Sequence, residues 1–261
     1  MKEMPLYKRF LYNQKLAPYV FTAPFVITFL VFFLYPVISS VVMTFQNILP
    51  GQVEFVGLDN YRRLNDPIFF KALSLNIRYT LWTLAILIPF PMLLAVLLNH
   101  RHMRAKNFFR STLFIPALTS VVVAGTIFRL MFGELPGALM NQVIGVFGIK
   151  PIKWLRVANY SMIPLLALAV WRWTGVNILY FLAGLQNISP ELYEAADIDG
   201  ASPWQVFRHV TVPMLKPTTI YVITISIYGG MAMFTESYML WGGNRSPNNI
   251  GTTIVGYLYR K

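Results

Sequence analysis

Residues 16–53 of this chain carry no charged side chain for 38 positions, and 17–44 is the most apolar part. A helix needs about 20 mainly apolar residues to cross the hydrocarbon of a bilayer, where no water can satisfy exposed backbone groups. Four more runs qualify: residues 79–100 (22 residues), 111–128 (18), 157–190 (34, interrupted only by Arg172) and 217–235 (19). Composition agrees. Charged residues make up 12% of the chain, about half the usual share, against 56% hydrophobic. That is too little charge to cover a water-soluble globule, and too much apolar surface for disorder. Twenty Phe, fourteen Tyr and six Trp suit a lipid boundary, where amphipathic rings sit at headgroup level. The first run is too long for a signal-peptide core and is expected to persist as an anchor.

The reading is an all-α polytopic bundle with spans at about 17–44, 79–99, 111–132, 160–185 and 217–239. These follow a short N-terminal segment, 1–16, and together form one membrane domain, 17–261. Orientation follows from Lys and Arg density in short loops. Residues 1–16 hold Lys2, Lys8, Arg9 and Lys15, and 99–110 hold Arg101, Arg104, Lys106 and Arg110. The longer loops 45–78 and 129–156 spread the same number over more than twice the length. The N-terminus and the 99–110 loop are therefore expected on the cytoplasmic side, and 186–213 joins them by alternation. The net charge of +12 is spread between the apolar runs and forms no single basic stripe, so membrane-edge anchoring is the reading and nucleic-acid binding is not.

The inner segment 186–213 holds the most ordered chemistry. Ser189, Pro190 and Glu191 read as N-cap, first helical position and dipole-complementing acid. Gly200 reads as a left-handed C-terminal residue, and Ser202-Pro203 repeat the start signal. A helix, a sharp glycine turn and a second helix make an elbow. Glu194-Ala195-Ala196, three residues, Gly200, nine residues, then Val210-Thr211-Val212-Pro213 resembles the EAA loop of ATP-binding-cassette importer permeases, with Val at two positions where that pattern has Ile and Leu. The longer string 183–202 resembles the carbohydrate-uptake, MalF-like branch.

The resemblance implies a type I (MetI-like) importer permease whose elbow is a coupling helix seated in a separate ATPase subunit. Glu194 would make the polar contact, Ala195 and Ala196 would permit close approach, and Gly200 would set the angle. Asp197, Ile198, Phe207 and Pro213 belong to the same surface. It further implies a second permease subunit, two ATPase subunits carrying ATP and Mg, and an extracytoplasmic sugar-binding protein meeting the outer loops. Carbohydrate is the substrate, and the chain itself binds no cofactor. The family core has six helices, so a sixth is expected beyond the five visible runs. The runner-up readings are the same fold importing polyamine, peptide or amino acid, and an ion-coupled carrier using Arg172 and Glu236.

Arg172 stands almost at the centre of its run. A charge there costs about 2.5–3.5 kcal/mol on insertion scales, so it must face a cavity or a partner, with Glu236 one available counter-ion. Trp171 and Trp173 flank it and cannot share a helical face. Asn177 and Tyr180 follow. In the last run Ser226, Gly229, Gly230, Met233 and Ser237 are spaced for one face. Aromatic faces beside polar donors suit sugar rings, so Trp171, Arg172, Trp173, Asn177, Ser226, Gly230 and Met233 are the candidate substrate path, while Glu236 reads as a solvated boundary carboxylate. Small residues in that last run equally suit close helix packing. His100 and His102 lack a nearby carboxylate, so no metal site is expected. No H-E-x-x-H, no G-x-S-x-G and no phosphate-binding loop occur, so neither catalysis nor ATP hydrolysis is expected of this chain.

Overall fold

The computed structural model describes residues 15–100, 103–243 and 245–260. Lys2, Lys8, Arg9, Arg101 and His102 lie outside them. The chain divides into two compact units, with the boundary between Asp66 and Pro67.

The first unit is dominated by helix α1 (Ala17–Met43), none of whose residues is buried. Its apolar side chains point outward all round, as a helix solvated by lipid requires. Thr22 and Thr28 return their hydroxyls to the carbonyls of Pro18 and Pro24, which removes two donors from an apolar surface. Beyond α1 the all-α expectation meets its one exception: strands β1 (Gln46–Leu49) and β2 (Gln52–Phe55) pair antiparallel, with Gln46 opposite Phe55. Pro50-Gly51 turns the hairpin, and Gly51 takes the positive φ (82°) that the turn demands. A one-turn helix, α2 (Asp59–Arg62), follows, and Asn60 of it donates to the carbonyls of Thr44 and Gln46.

The second unit is a helical bundle. Helices α3 (Pro67–Leu87) and α4 (Pro89–Asn99) form one long span broken at Ile88. The expected span 79–99 thus begins twelve residues early. Counting uncharged residues stopped at Arg78, yet Lys71 and Arg78 sit on the exposed side of a helix whose other side buries Ala72, Leu75 and Asn76. The expected span 111–132 is two helices, α5 (Lys106–Leu118) and α6 (Val121–Met131), bent by 93° after Pro116. A short helix, α7 (Leu139–Gly145), leads to the central helix α8 (Ala158–Gln186), which carries both cores. Toward its start, Leu165, Leu168 and Ala169 join Tyr79, Phe128, Trp154 and Leu240. Toward its end, Ile178, Phe181 and Leu185 join Met92, Leu215 and Val222. At Gly175 the backbone of α5 presses so close that a Cβ would meet the carbonyl of Leu113.

After α9 (Pro190–Ile198), helix α10 (Pro203–Met214) bends by 65° into α11 (Lys216–Met231). The expected span 217–239 therefore stops at Met231. The chain breaks over 232–234 and restarts as α12 (Thr235–Trp241). Asn76, fully buried in α3, explains the break. Its Nδ2 donates to the carbonyls of Gly230 and Met231 at the end of α11, adding to the Met233 amide that the Gly230 carbonyl also accepts. Its Oδ1 accepts the Ile254 amide at the start of the last helix, α13 (Ile254–Leu258). One amide thus hydrogen-bonds both the end of α11 and the start of α13. Among the described residues three helices are long and apolar enough to cross a membrane, or five if each bent pair counts as one span.

Candidate functional site

Two places gather the predicted residues, both in the second unit. The first is a cavity of about 130 Å³ between α3, α8, α11 and the start of α12. Trp173, Asn177, Ser226 and Gly230, all expected on the path, line it with Tyr79, Tyr180 and Glu236. Gly230 is needed for close approach: a Cβ there would run into Thr80 of α3. Asn177 spends its Nδ2 on the Leu87 carbonyl, whose helical partner four residues on is Pro91, with no amide to donate.

Three expectations change. Trp171 does not line the cavity and packs on Phe128 instead, ring centroids 5.5 Å apart. Two tryptophans two positions apart on a helix point to different sides, and Trp173 is the one that lines the cavity. Met233 falls in the break after α11, where the helical spacing used to place it ends, and it is buried in the first apolar core. Ser237 likewise leaves the Ser226 face and donates to the Gly251 carbonyl.

Glu236 is the largest correction. It is no solvated boundary carboxylate: only 15% of its side chain is exposed, and Oε1 lies 3.6 Å from Arg172 Nη1, whose side chain is equally covered. The break at 232–234 explains this, because restarting the chain at Thr235 swings the first turn of α12 toward α8. There Glu236 also complements the positive end of its own helix. The Arg172 guanidinium lies over the Trp173 ring, 5.3 Å from its centroid, while its Nε is buried without a partner. Arg172 itself stands behind the cavity wall.

The second place is the elbow. Gly200 has φ +71°, and its amide bonds to the Asp197 carbonyl while Ala201 bonds to Ala196, closing α9 with a Schellman turn. Ser202 and Gln205 form a capping box at the start of α10. Ser189, expected to cap α9, has the right backbone but makes no side-chain bond. Glu194, Ala195, Asp197 and Pro213 are exposed, and Ile198 is 87% exposed. Glu194 makes no side-chain hydrogen bond or ion pair among the described residues. Ala196 is buried and forms part of a hollow of about 330 Å³ in the crook, with Asp199, Gln205 and His209. Phe207, expected to point at a partner, turns inward against the second core and stacks on Trp204, which is 64% exposed and takes the outward position. A widened helical turn, Phe207–Thr211, follows. The Arg172–Glu236 pair weighed from the sequence does form, whereas sequence spacing for a regular helix could not have revealed Trp204 or Asn76.

Residues 87–259 match the family described as binding-protein-dependent transport system inner membrane component. The chain is 58% identical over 250 residues to the arabinooligosaccharides transport system permease protein AraP of Bacillus subtilis (strain 168), covering 96% of this chain and 80% of that one. It is 35% identical over 244 residues to the lactose transport system permease protein LacF of Rhizobium radiobacter, covering 92% and 81%. Its fold matches a chain in the crystal structure of a bacterial ABC transporter involved in the import of the acidic polysaccharide alginate, with a TM-score of 0.79 at 22% identity over 98% of this chain and 86% of that one.

Proposed function

We propose, from the premise that this chain belongs to the family of binding-protein-dependent transport system inner membrane components, that it is the permease subunit of an ATP-driven oligosaccharide importer. It provides half of a pathway completed by a second permease. An extracytoplasmic binding protein delivers sugar to the outer loops, and two ATPase subunits dock on the elbow. ATP and Mg belong to those subunits, and the chain performs no covalent chemistry and binds no nucleic acid. It sits in the plasma membrane of a prokaryote with its N-terminus in the cytoplasm.

The observation that carries this is the elbow. It is a doubly terminated helix–turn–helix that exposes Glu194 and Ile198, and Glu194 makes no side-chain hydrogen bond or ion pair among the described residues. An exposed Ile beside an unpaired carboxylate on so well-defined a turn fits a surface made for another protein. Force applied there passes along α10 through its bend into α11, whose Ser226 and Gly230 line the cavity. Alternating access then has a direct route from nucleotide-driven closure to the sugar site. In that cavity Trp173 and Tyr180 offer ring faces and Asn177, Ser226 and Glu236 offer polar edges, the combination sugar rings need.

The test is uptake of labelled arabinotriose by proteoliposomes containing the complete importer. Uptake should require ATP and the binding protein, and Glu194→Lys should abolish it. Uptake that follows an ion gradient with ATP withheld would overturn the reading.

A further inference from the structure

We propose that Glu236, held by Arg172, makes the cavity a charge filter that accepts neutral saccharides and refuses acidic ones carrying uronate groups. The inference rests on the saccharide reading of the cavity given above.

Glu236 is the one charged side chain among the residues lining the cavity; no Lys or Arg lines it. Its counter-charge stands behind the wall, where Arg172 is fixed over Trp173. At 3.6 Å the pair is a Coulomb contact longer than a hydrogen bond, and Glu236 accepts no hydrogen bond among the described residues. Its oxygens therefore remain open to donors from a ligand. A neutral sugar brings hydroxyl donors, which a carboxylate accepts strongly. A uronate at the same place brings a second carboxylate, which cannot donate to Glu236 and repels it in a poorly screened site. The remaining polar groups of the wall, such as Asn177 and Ser226, carry no charge to offset that.

Arg172 has two effects on this wall. It stands as the counter-charge of Glu236, 3.6 Å away, and its place over Trp173 denies an incoming anion direct contact with the guanidinium. The solved importer of the acidic polysaccharide alginate has the same fold, so the fold itself does not exclude acidic chains. Any selection by this cavity therefore lies in the side chains of its wall.

The experiment uses the intact importer, both permeases with their ATPase subunits, in nanodiscs without binding protein. Equilibrium dialysis measures labelled arabinotriose and trigalacturonate side by side. The wild type should bind trigalacturonate about 100-fold more weakly than arabinotriose. Glu236→Gln should narrow the gap to about tenfold or less, because Arg172 is left as an uncompensated cation. Arg172→Lys, which keeps the charge, should preserve the gap. If Glu236→Gln does not assemble, Ser226→Lys places a cation in the cavity with the pair intact and should narrow the gap likewise.

Equal binding of the two sugars by the wild type overturns the filter, as does an undiminished gap in Glu236→Gln or, where that variant does not assemble, in Ser226→Lys. Failure of the wild type to bind arabinotriose at all would instead remove the saccharide reading, and the filter with it.

Discussion

The cavity and the elbow each present a carboxylate to their surroundings, but they handle it in opposite ways. Glu236 is buried and answered from within the chain by Arg172. Glu194 is exposed, and no described residue answers it. The same contrast holds for the aromatic rings beside them: Trp173 is pinned under a guanidinium, whereas Trp204 stands out in solvent. Charge that a fold satisfies internally is tied to stability, and charge that it leaves open is available for recognition. The two regions should therefore fail differently.

The largest effect is expected at the ion pair. Arg172→Met leaves Glu236 alone in an apolar site and should cost about 3–5 kcal/mol. The double substitution Arg172→Met with Glu236→Leu should recover most of that, because no charge remains buried. Thermal inactivation of the solubilised complex reads both, and a double variant no better than the single one would mean the pair is not the source of the loss. Asn76→Ala comes next. Removing the amide takes one hydrogen bond each from the Gly230 and Met231 carbonyls and from the Ile254 amide, at a cost on the order of 3 kcal/mol by the same assay.

Elbow substitutions should cost less stability and more coupling. Gly200→Val forces a β-branched residue to φ +71° at about 1–2 kcal/mol, and should uncouple ATP hydrolysis from uptake while arabinotriose binding in the cavity persists. Glu194→Lys should shift stability by less than about 0.5 kcal/mol, the range of surface changes, yet release the ATPase subunits on purification. A Glu194→Lys variant that melts early but retains its ATPase would erase the distinction between the two regions.

The elbow was legible in the sequence because its signals are local. Gly200 needs a positive φ, Ser202 caps through Gln205 three residues on, and the EAA spacing lies in one short stretch. The membrane spans were legible as apolar runs, but their breaks were not. The halt at Met231 depends on Asn76, more than 150 residues earlier, and a polar residue in α3 gives no local sign of whom it will meet. That one break removed Met233 and Ser237 from the expected face and carried Glu236 to Arg172. Phe207 packs inward on the second core and Trp204 is the exposed ring of the pair, a difference set by the rest of the bundle and carrying no local sign. Helix periodicity forecasts faces only while the helix stays regular.

Because the chain contains no cysteine, a single engineered thiol has a unique address. Ile198→Cys in the assembled importer, treated with a short thiol–amine cross-linker, tests the elbow as the docking surface. It should join the permease to an ATPase subunit in high yield, with the yield changing as ATP is added and hydrolysed. Absence of any such product, while the same thiol reacts freely with a small maleimide, would contradict the coupling role of this turn.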